Sequence, residues 1–386
     1  MNNLFYKNVI TLIEKYKPKN FNEIIGQEEV ILLLKKITKK NKLSNTLVFI
    51  GPKGVGKNIC AHLLSNELNY FFSSNVSYNI FEIHDFLNYT LDNILKLISH
   101  AKHIPKIGKY YVIIFNNTKL TCKQYFFHLF LKLIHKKYSH ILFIFCYTKK
   151  NKIPENILSI SQVYEFKKIS IEKIYLHLKM ISSKEKINVV NDALYLISEY
   201  VNGSISKAIY IFNNILLGYD NKENYIITKE LIMEKLGIIS VEYYLKIVDF
   251  FLKKNFSEIF LLLNKVFSKN INYFKFIIGL IKHFKFLFLY KNSENISSLR
   301  INKEIIKCYV EQSKKISNSV FNEVICLLHN YYLKRKYILK KNPILIIEMC
   351  IIQLAHIFLN CKNEKDKNSL EENKNFFFRK DMEKFY

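Results

Sequence analysis

The chain has 386 residues, which is too long for a single ordinary core, so we expect two or three domains. Hydrophobic residues make up 49% and charged residues 24% of the sequence, a balance that excludes an intrinsically disordered protein. The formal net charge of +27 is compatible with nucleic-acid binding, because basic side chains neutralise phosphates. The basic residues are nearly all lysine, however, and residues with A/T-rich codons are abundant throughout. We therefore assign most of the positive charge to solvated surface or compositional bias.

The seven cysteines show no C-x-x-C spacing, and most lie in apolar stretches, so we predict buried thiols rather than a disulfide framework. The apolar stretch at 1–13 is short and precedes charged residues, so we expect no signal peptide. The longest apolar run, 344–359, is interrupted by Glu348, Gln353 and His356, so we expect it not to span a membrane. These features predict a cytoplasmic protein.

The first half of the chain alternates short apolar runs with segments of helical periodicity. Continuous apolar runs at 45–50, 110–115 and 141–146 have the length of strands, and such runs are typical of strands buried on both faces of a parallel sheet. Segments 58–68 and 123–135 predict helices between them. This alternation predicts a doubly wound α/β domain that ends near residue 165.

Strand patterns fade after Ser170, and helical patterns replace them. A polar stretch at 218–224 predicts a linker between two groups of helices, and the charged, Asn-rich tail from Cys361 is expected to be poorly ordered. Candidate N-caps and a proline near a helix start support the later helices. The predicted helical segments are 171–181, 191–201, 204–217, 228–236, 240–253, 257–267, 273–290, 303–315, 319–339 and 343–359.

One glycine-rich segment carries most of the chemistry. It reads Gly51-Pro52-Lys53-Gly54-Val55-Gly56-Lys57-Asn58 and nearly satisfies the phosphate-loop pattern G-x-x-x-x-G-K-[ST] between a predicted strand and a predicted helix. Glycines let the backbone wrap a phosphate, N–H groups at the helix start donate to its oxygens, and the Lys57 ammonium neutralises charge. The alternative is an ordinary glycine-rich turn, which the flanking strand and helix disfavour. Asn58 replaces the hydroxyl that normally binds Mg²⁺, so the pattern predicts a nucleotide site with altered metal geometry.

The segments around this loop resemble the gamma/tau family of AAA+ clamp loaders of bacterial DNA polymerase III. The resemblance begins at 14–29, an aromatic and basic segment with a proline that ends in Gly26-Gln27-Glu28-Glu29, and it covers residues 12–358. The other matching segments are 109–115, 153–159, Gly203-Ser204 with Ala208, Leu236-Gly237, and Asn342-Pro343 with Glu348.

This resemblance implies a domain order and a set of cofactors. It implies an AAA+ nucleotide-binding domain with a parallel sheet over 1–168, a helical lid over 169–222, an all-helical collar for oligomerisation over 223–360 and a charged, disordered tail over 361–386. It also implies ATP and Mg²⁺ as cofactors, with Thr148 at the sensor-1 position beside the phosphate loop.

The departures from the family fall on catalytic positions. Asn116 and Asn117 stand where the family carries Asp-Glu, which helps to hold Mg²⁺ and activates the attacking water. Ile160 stands at the position of the arginine finger, and Ser206 stands at the sensor-2 arginine. The family's zinc-binding cysteines are absent from 69–85. No catalytic position is therefore intact, and we predict weak or lost ATP hydrolysis.

Replacement of the missing arginines or carboxylates by other residues is disfavoured. Lysine cannot reproduce the bidentate fork of arginine on a phosphate, and no arginine precedes Arg300. An acidic residue elsewhere could replace the missing carboxylates in space, such as Glu82 or Asp85. We expect that neither lies at a strand end beside the loop.

Three functions remain open from the sequence. The leading hypothesis is a clamp-loader subunit in DNA replication, which scaffolds the loader that places the sliding clamp on primed DNA. Its expected partners are delta-type and delta-prime-type subunits, the sliding clamp and the polymerase core, in a hetero-oligomer formed through the collar. A delta-prime-like stator without catalytic function is the first alternative, which the altered motifs favour and the near-complete phosphate loop disfavours. A branch-migration helicase is the second, but it requires the missing Asp-Glu and arginine and a terminal β-hairpin domain, for which the sequence has no strand pattern.

Overall fold

A computed structural model of the chain describes residues 11–39, 43–69, 79–84, 90–106, 108–116, 124–136, 138–218, 226–267, 273–292, 303–333 and 343–360. The chain falls into two compact units, Met1–Ile232 and Met233–Tyr386, and each is described by itself. Of the predicted site residues, Asn117 lies outside the described residues, as does Asp85.

The first unit is built around a parallel sheet. Its strands are β1 (Thr46–Ile50), β2 (Ile80–Ile83), β3 (Tyr111–Asn116), β4 (Ile141–Tyr147) and β5 (Gln162–Glu165), in the order β2-β3-β4-β1-β5. Every pairing between them is parallel. The three central strands are those predicted from continuous apolar runs, which are almost entirely buried because helices cover both faces. The edge strands β2 and β5 carry polar residues and were not predicted.

Helices cover both faces of this sheet. Helices α1 (Leu12–Lys15), α2 (Glu28–Lys39) and α3 (Lys57–Asn69) precede or follow β1, and α4 (Leu91–Lys102), α5 (Gln124–His135) and α6 (Glu155–Leu158) follow β2, β3 and β4. Residues of α2 and α3 pack in one core, while residues of α4, α5 and α6 pack in the other. The connections that leave the neighbouring strands β1 and β4 therefore lie on opposite faces. In open α/β sheets, ligands bind outside the carboxyl ends of strands at such a switch point.

Three helices complete the first unit after the sheet. They are α7 (Ile171–Lys184), α8 (Asn191–Tyr200) and α9 (Ile205–Leu217), and they pack on one another through buried residues such as Ile174, Ile197 and Phe212. The short α1 is tied to them, because the backbone N–H of Leu12 donates to Asn213 Oδ1 at 3.1 Å. The predicted helices at 171–181, 191–201 and 204–217 are thus confirmed.

The described part of the chain after Gln162–Glu165 contains helices and no further named strand. Helix α10 (Lys229–Leu236) crosses the division between the two units. The second unit holds α11 (Val241–Lys253), α12 (Phe256–Phe267), α13 (Tyr273–Asn292), α14 (Lys303–Lys314), α15 (Asn318–Leu333) and α16 (Pro343–Asn360) around a core rich in aromatic residues. A parallel α/β domain followed by helical segments confirms the predicted fold class. The domain boundaries at 168 and 222 stay predictions.

Helix α16 is long and apolar enough, by length and composition alone, to cross a membrane. One of its faces packs in the core of the second unit through Ile347, Ile351, Leu354 and Phe358. That packing is the one expected of a core helix in a helical domain.

Candidate functional site

The glycine-rich loop lies where the sheet topology places a ligand. It leaves β1 at Gly51, and α3 begins at Lys57, so the loop occupies the carboxyl end of β1 beside β4. The backbone N–H of Gly51 donates to the carbonyl of Tyr147, the last residue of β4, at 3.1 Å. The start of α3 directs its first N–H groups and the positive end of its dipole to this point, which favours an anion.

Lys57 is held within the loop itself. Its Nζ donates to the carbonyl of Gly51 at 2.8 Å and to the carbonyl of Pro52. The side chain is 5% exposed, and burial is the main cause that lowers its pKa. Burial disfavours the charged form of a lysine, so an anion that met this ammonium would relieve a desolvation cost. The arrangement suits a group that binds phosphate.

The first turn of α9 packs directly on this loop. The backbone N–H of Ser206 donates to the carbonyl of Gly54 at 3.2 Å. Ser204 is the N-cap of α9, and its hydroxyl accepts from the N–H of Lys207. A Cβ atom on Gly54 would lie 2.1 Å from Ser204 Oγ, so only glycine permits this approach. Ser206, the predicted sensor-2 position, is thereby placed at the loop, although its side chain carries no charge.

Gln27 links the loop to the segment after β5. Its Nε2 donates to the carbonyl of Lys167 at 2.8 Å and to that of Val55 at 3.4 Å, and its Oε1 accepts from the N–H of Lys167 at 3.1 Å. The residue is 3% exposed, so these bonds satisfy a buried amide. Gly26-Gln27 is part of the resemblance to the gamma/tau family, but the sequence alone does not predict that Gln27 contacts the loop.

Thr148 and Ile160, two other predicted residues, lie at opposite ends of the parallel strands. Thr148 directly follows β4, whose last residue pairs with Ile50, so it lies at the same carboxyl end of the strands as the loop. Ile160 lies shortly before β5, and its carbonyl accepts from Ser44 Oγ near the start of β1. That is the amino end of the parallel strands, and Ile160 is 37% exposed there. It therefore lies at the end of the sheet opposite the loop of its own chain.

Asn58 and Asn116, the altered metal-shell positions, meet around one carboxylate. Asn58 Nδ2 donates to Glu82 Oε1 at 3.4 Å, and Asn116 Nδ2 donates to the same oxygen at 3.2 Å. Our expectation that Glu82 does not lie at a strand end beside the loop was wrong. It is the third residue of the four-residue β2, which was not recognised as a strand. A single Glu in the apolar run Ile80–Ile83 was the signal that could have identified it.

Two histidines complete this cluster. His62 Nε2 lies 2.9 Å from Glu82 Oε2, and His84 Nε2 lies 3.5 Å from Glu82 Oε1. The hydrogen bond with His62 is the main cause that lowers the pKa of Glu82. Glu82 is therefore ionised at neutral pH, and β2 carries a negative charge where it contacts α3.

Comparison with known proteins finds sequences that are similar to most of this chain. The chain is 28% identical over 311 residues to the gamma/tau subunit of DNA polymerase III from Mycoplasma genitalium, covering 74% of this chain and 50% of that protein. It is 23% identical over 360 residues to the gamma subunit from Buchnera aphidicola subsp. Schizaphis graminum, covering 89% of this chain and 97% of that one. The chain is similar in sequence to gamma/tau subunits of DNA polymerase III. It spans about half the length of the Mycoplasma relative.

The remaining comparisons add little to this relationship. No family model matches the chain. Among solved structures, a RuvB mutant from Thermotoga maritima is similar with a TM-score of 0.46 at 16% identity, covering 62% of this chain and 81% of that one. A likeness of this size carries no argument about function, and the fold class rests on the sheet itself.

Proposed function

We propose that this relative of gamma/tau acts in DNA replication as a clamp-loader subunit of DNA polymerase III. In this role it scaffolds the loader that places the sliding clamp on primed DNA. The observation that carries the proposal is the similarity to gamma/tau subunits, which extends over 89% of the chain in the Buchnera alignment and so includes both compact units. The expected partners are delta-type and delta-prime-type subunits, the sliding clamp and the polymerase core, in the cytoplasm.

We further propose that the loop from Gly51 to Lys57 binds ATP with Mg²⁺ and turns it over slowly. The start of α3, the buried Lys57 ammonium and the lid contact at Gly54 support binding. Asn116 lies at the carboxyl end of β3 without a carboxylate, and Ile160 offers a neighbouring subunit no guanidinium. An arginine finger alone is worth roughly 10³–10⁵ in rate where one is used, so slow turnover is expected.

The test is reconstitution with the other loader subunits, followed by an assay of clamp loading on primed DNA. Co-purification with those subunits and loading that depends on this chain would support the proposal. Lys57→Ala tests the nucleotide loop, and Lys136→Ala, an exposed change at the end of α5, is the matched control. A chain that enters no complex with loader subunits would refute the proposal. DNA binding by the complex should weaken as salt rises, and binding independent of salt would exclude an electrostatic role.

The second candidate is a delta-prime-like stator that binds no nucleotide. The amides at Asn58 and Asn116 and the absence of arginine before Arg300 favour it. Direct measurement of ATP binding by the purified chain separates the two, because a stator leaves the loop unused. A branch-migration helicase is not favoured, since the described part of the second unit contains helices without a β-hairpin.

A further inference from the structure

Glu82 links the elements β2, β3 and α3 near the carboxyl end of the parallel strands, where the glycine-rich loop also lies. Its Oε1 accepts from Asn58 Nδ2 in the first turn of α3 and from Asn116 Nδ2 at the end of β3. Its Oε2 contacts His62 Nε2, one turn further along α3. The side chain is 24% exposed, so the carboxylate is reachable from solvent while its surroundings hold it in place.

The strand register explains why these groups meet. Glu82 pairs with Ile114 across β2 and β3, and successive side chains of a strand point to opposite faces. Asn116 follows Ile114 by two residues, so it shares the face of Ile114, which packs in the same core as residues of α3. Asn58 and His62 are four residues apart on α3 and so lie on one side of that helix. The carboxylate is thus directed at Asn58 and Asn116, the two positions that the resemblance to the gamma/tau family assigns to the metal.

The donor set fits magnesium. Mg²⁺ prefers oxygen ligands and is usually bound by one or two carboxylates together with substrate phosphates and water. Glu82 supplies one carboxylate, whose roughly four lone-pair positions leave room for a cation while it accepts from Asn58 Nδ2 and Asn116 Nδ2. The described residues contain no group of three His, Cys, Asp or Glu side chains that could hold a metal ion. A cation here would therefore need the phosphates of a bound nucleotide.

We propose that Glu82 supplies the carboxylate of the Mg²⁺ shell that accompanies a bound nucleoside triphosphate, in place of the carboxylate missing at Asn116. Asn58 and Asn116 donate from Nδ2 to its first oxygen, and His62 holds its second oxygen, so all three are positioning residues for Glu82. This inference rests on the proposed binding of nucleotide by the loop. It assigns the position of the charge to β2 and makes no claim that hydrolysis is restored.

The experiment measures the affinity of the full chain for a fluorescent ATP analogue in MgCl₂ and in EDTA. We expect Mg²⁺ to tighten binding in the wild type, and Glu82→Gln to reduce that gain about tenfold while affinity in EDTA does not fall. Glu67→Gln, which removes the same charge at an exposed position of α3, should keep the full gain. Manganese bound in the presence of ATP, followed by electron paramagnetic resonance, gives a second reading of the cation itself.

A rescue variant distinguishes the loss of the carboxylate from a loss of folding. Asn116→Asp in the Glu82→Gln background returns a carboxylate to the same oxygen shell and should restore the gain from Mg²⁺. The inference is overturned if Glu82→Gln keeps the full gain, or if the wild type binds equally in MgCl₂ and EDTA; either result leaves nucleotide binding intact. If the wild type binds no analogue in either condition, both the proposed nucleotide binding and the inference fail.

Discussion

Gly54 is the point at which the phosphate loop meets α9, and Gly54→Ala tests whether this contact holds the helix in place. Its backbone φ is +75°, a left-handed conformation that costs a residue with a Cβ atom about 1–2 kcal/mol. The added Cβ would also lie 2.1 Å from Ser204 Oγ, so Ser204 must move. The substitution therefore combines a backbone cost with a clash against Ser204 at the start of α9.

The cost of moving Ser204 follows from the bonds that it supports. Its hydroxyl caps α9, and the loss of such a cap costs about 1 kcal/mol. The bond from Ser206 N–H to the Gly54 carbonyl contributes about another 1 kcal/mol. Together these lower the free energy of opening the first turn of α9 by about 2 kcal/mol. The equilibrium population of the open state therefore rises about 30-fold.

Hydrogen exchange measured by mass spectrometry on peptides from 204–217 reads this opening directly. Gly56→Ala is the matched control, because its φ of +101° carries a comparable backbone cost while the nearest atom, Ile24 Cγ2, is 3.9 Å from the added Cβ. We expect faster exchange at the start of α9 in Gly54→Ala and little change there in Gly56→Ala. Equal exchange at α9 in the two variants would show that Gly54 is not needed for the contact between the loop and α9.

Three further predictions concern turnover and the second unit. Steady-state phosphate release should be at least about 10³-fold slower than in a loader with an intact arginine finger, with Lys57→Ala giving the background; comparable turnover abolished by that substitution would contradict this. Burial lowers the pKa of His283 from 6.5 to about 3, so the unfolded chain takes up the proton first. Stability should therefore fall by about 1.4 kcal/mol per pH unit below about 6.5, levelling near pH 3, and urea titrations of His283→Gln should show a flatter slope; an unchanged slope would assign the effect to other groups. Gly279→Ala should lower the unfolding midpoint strongly, because its Cβ would lie 1.9 Å from Tyr244 Oη, and Tyr244→Phe in the same chain should recover part of the loss; no recovery would mean that the clash lies elsewhere.

The central strands could be predicted because their burial leaves a direct trace in the sequence. In β1, β3 and β4 both faces are covered by helices, so nearly every position is apolar and the run stands out. The edge strands β2 and β5 are four residues long and carry polar residues, and hydrophobicity alone does not separate such segments from loops. The glycine-rich loop could be placed between a strand and a helix because its glycines and lysine are contiguous in sequence.

The contacts that close the site could not be predicted, because they join residues far apart in the chain. Gln27 reaches Lys167 across 140 positions, and Gly54 meets Ser206 only once α9 packs on the loop. Local composition does not specify either meeting. A glutamine after a glycine and a serine in the first helical turn are common in sequences that form no such contact.

The cluster around Glu82 shows most clearly that a sequence motif and the spatial site can differ. Sequence comparison finds an amide at Asn116 and concludes that the charge is lost there. The β2–β3 register places Glu82 two residues back on the neighbouring strand, where its oxygen lies 3.2 Å from Asn116 Nδ2. That register depends on how an unrecognised edge strand pairs, and a shift of one residue would turn Glu82 to the opposite face of the sheet. The electrostatics of the site therefore depend on the pairing of a four-residue strand, and an Asp-to-Asn change in the motif does not by itself remove the carboxylate from the site.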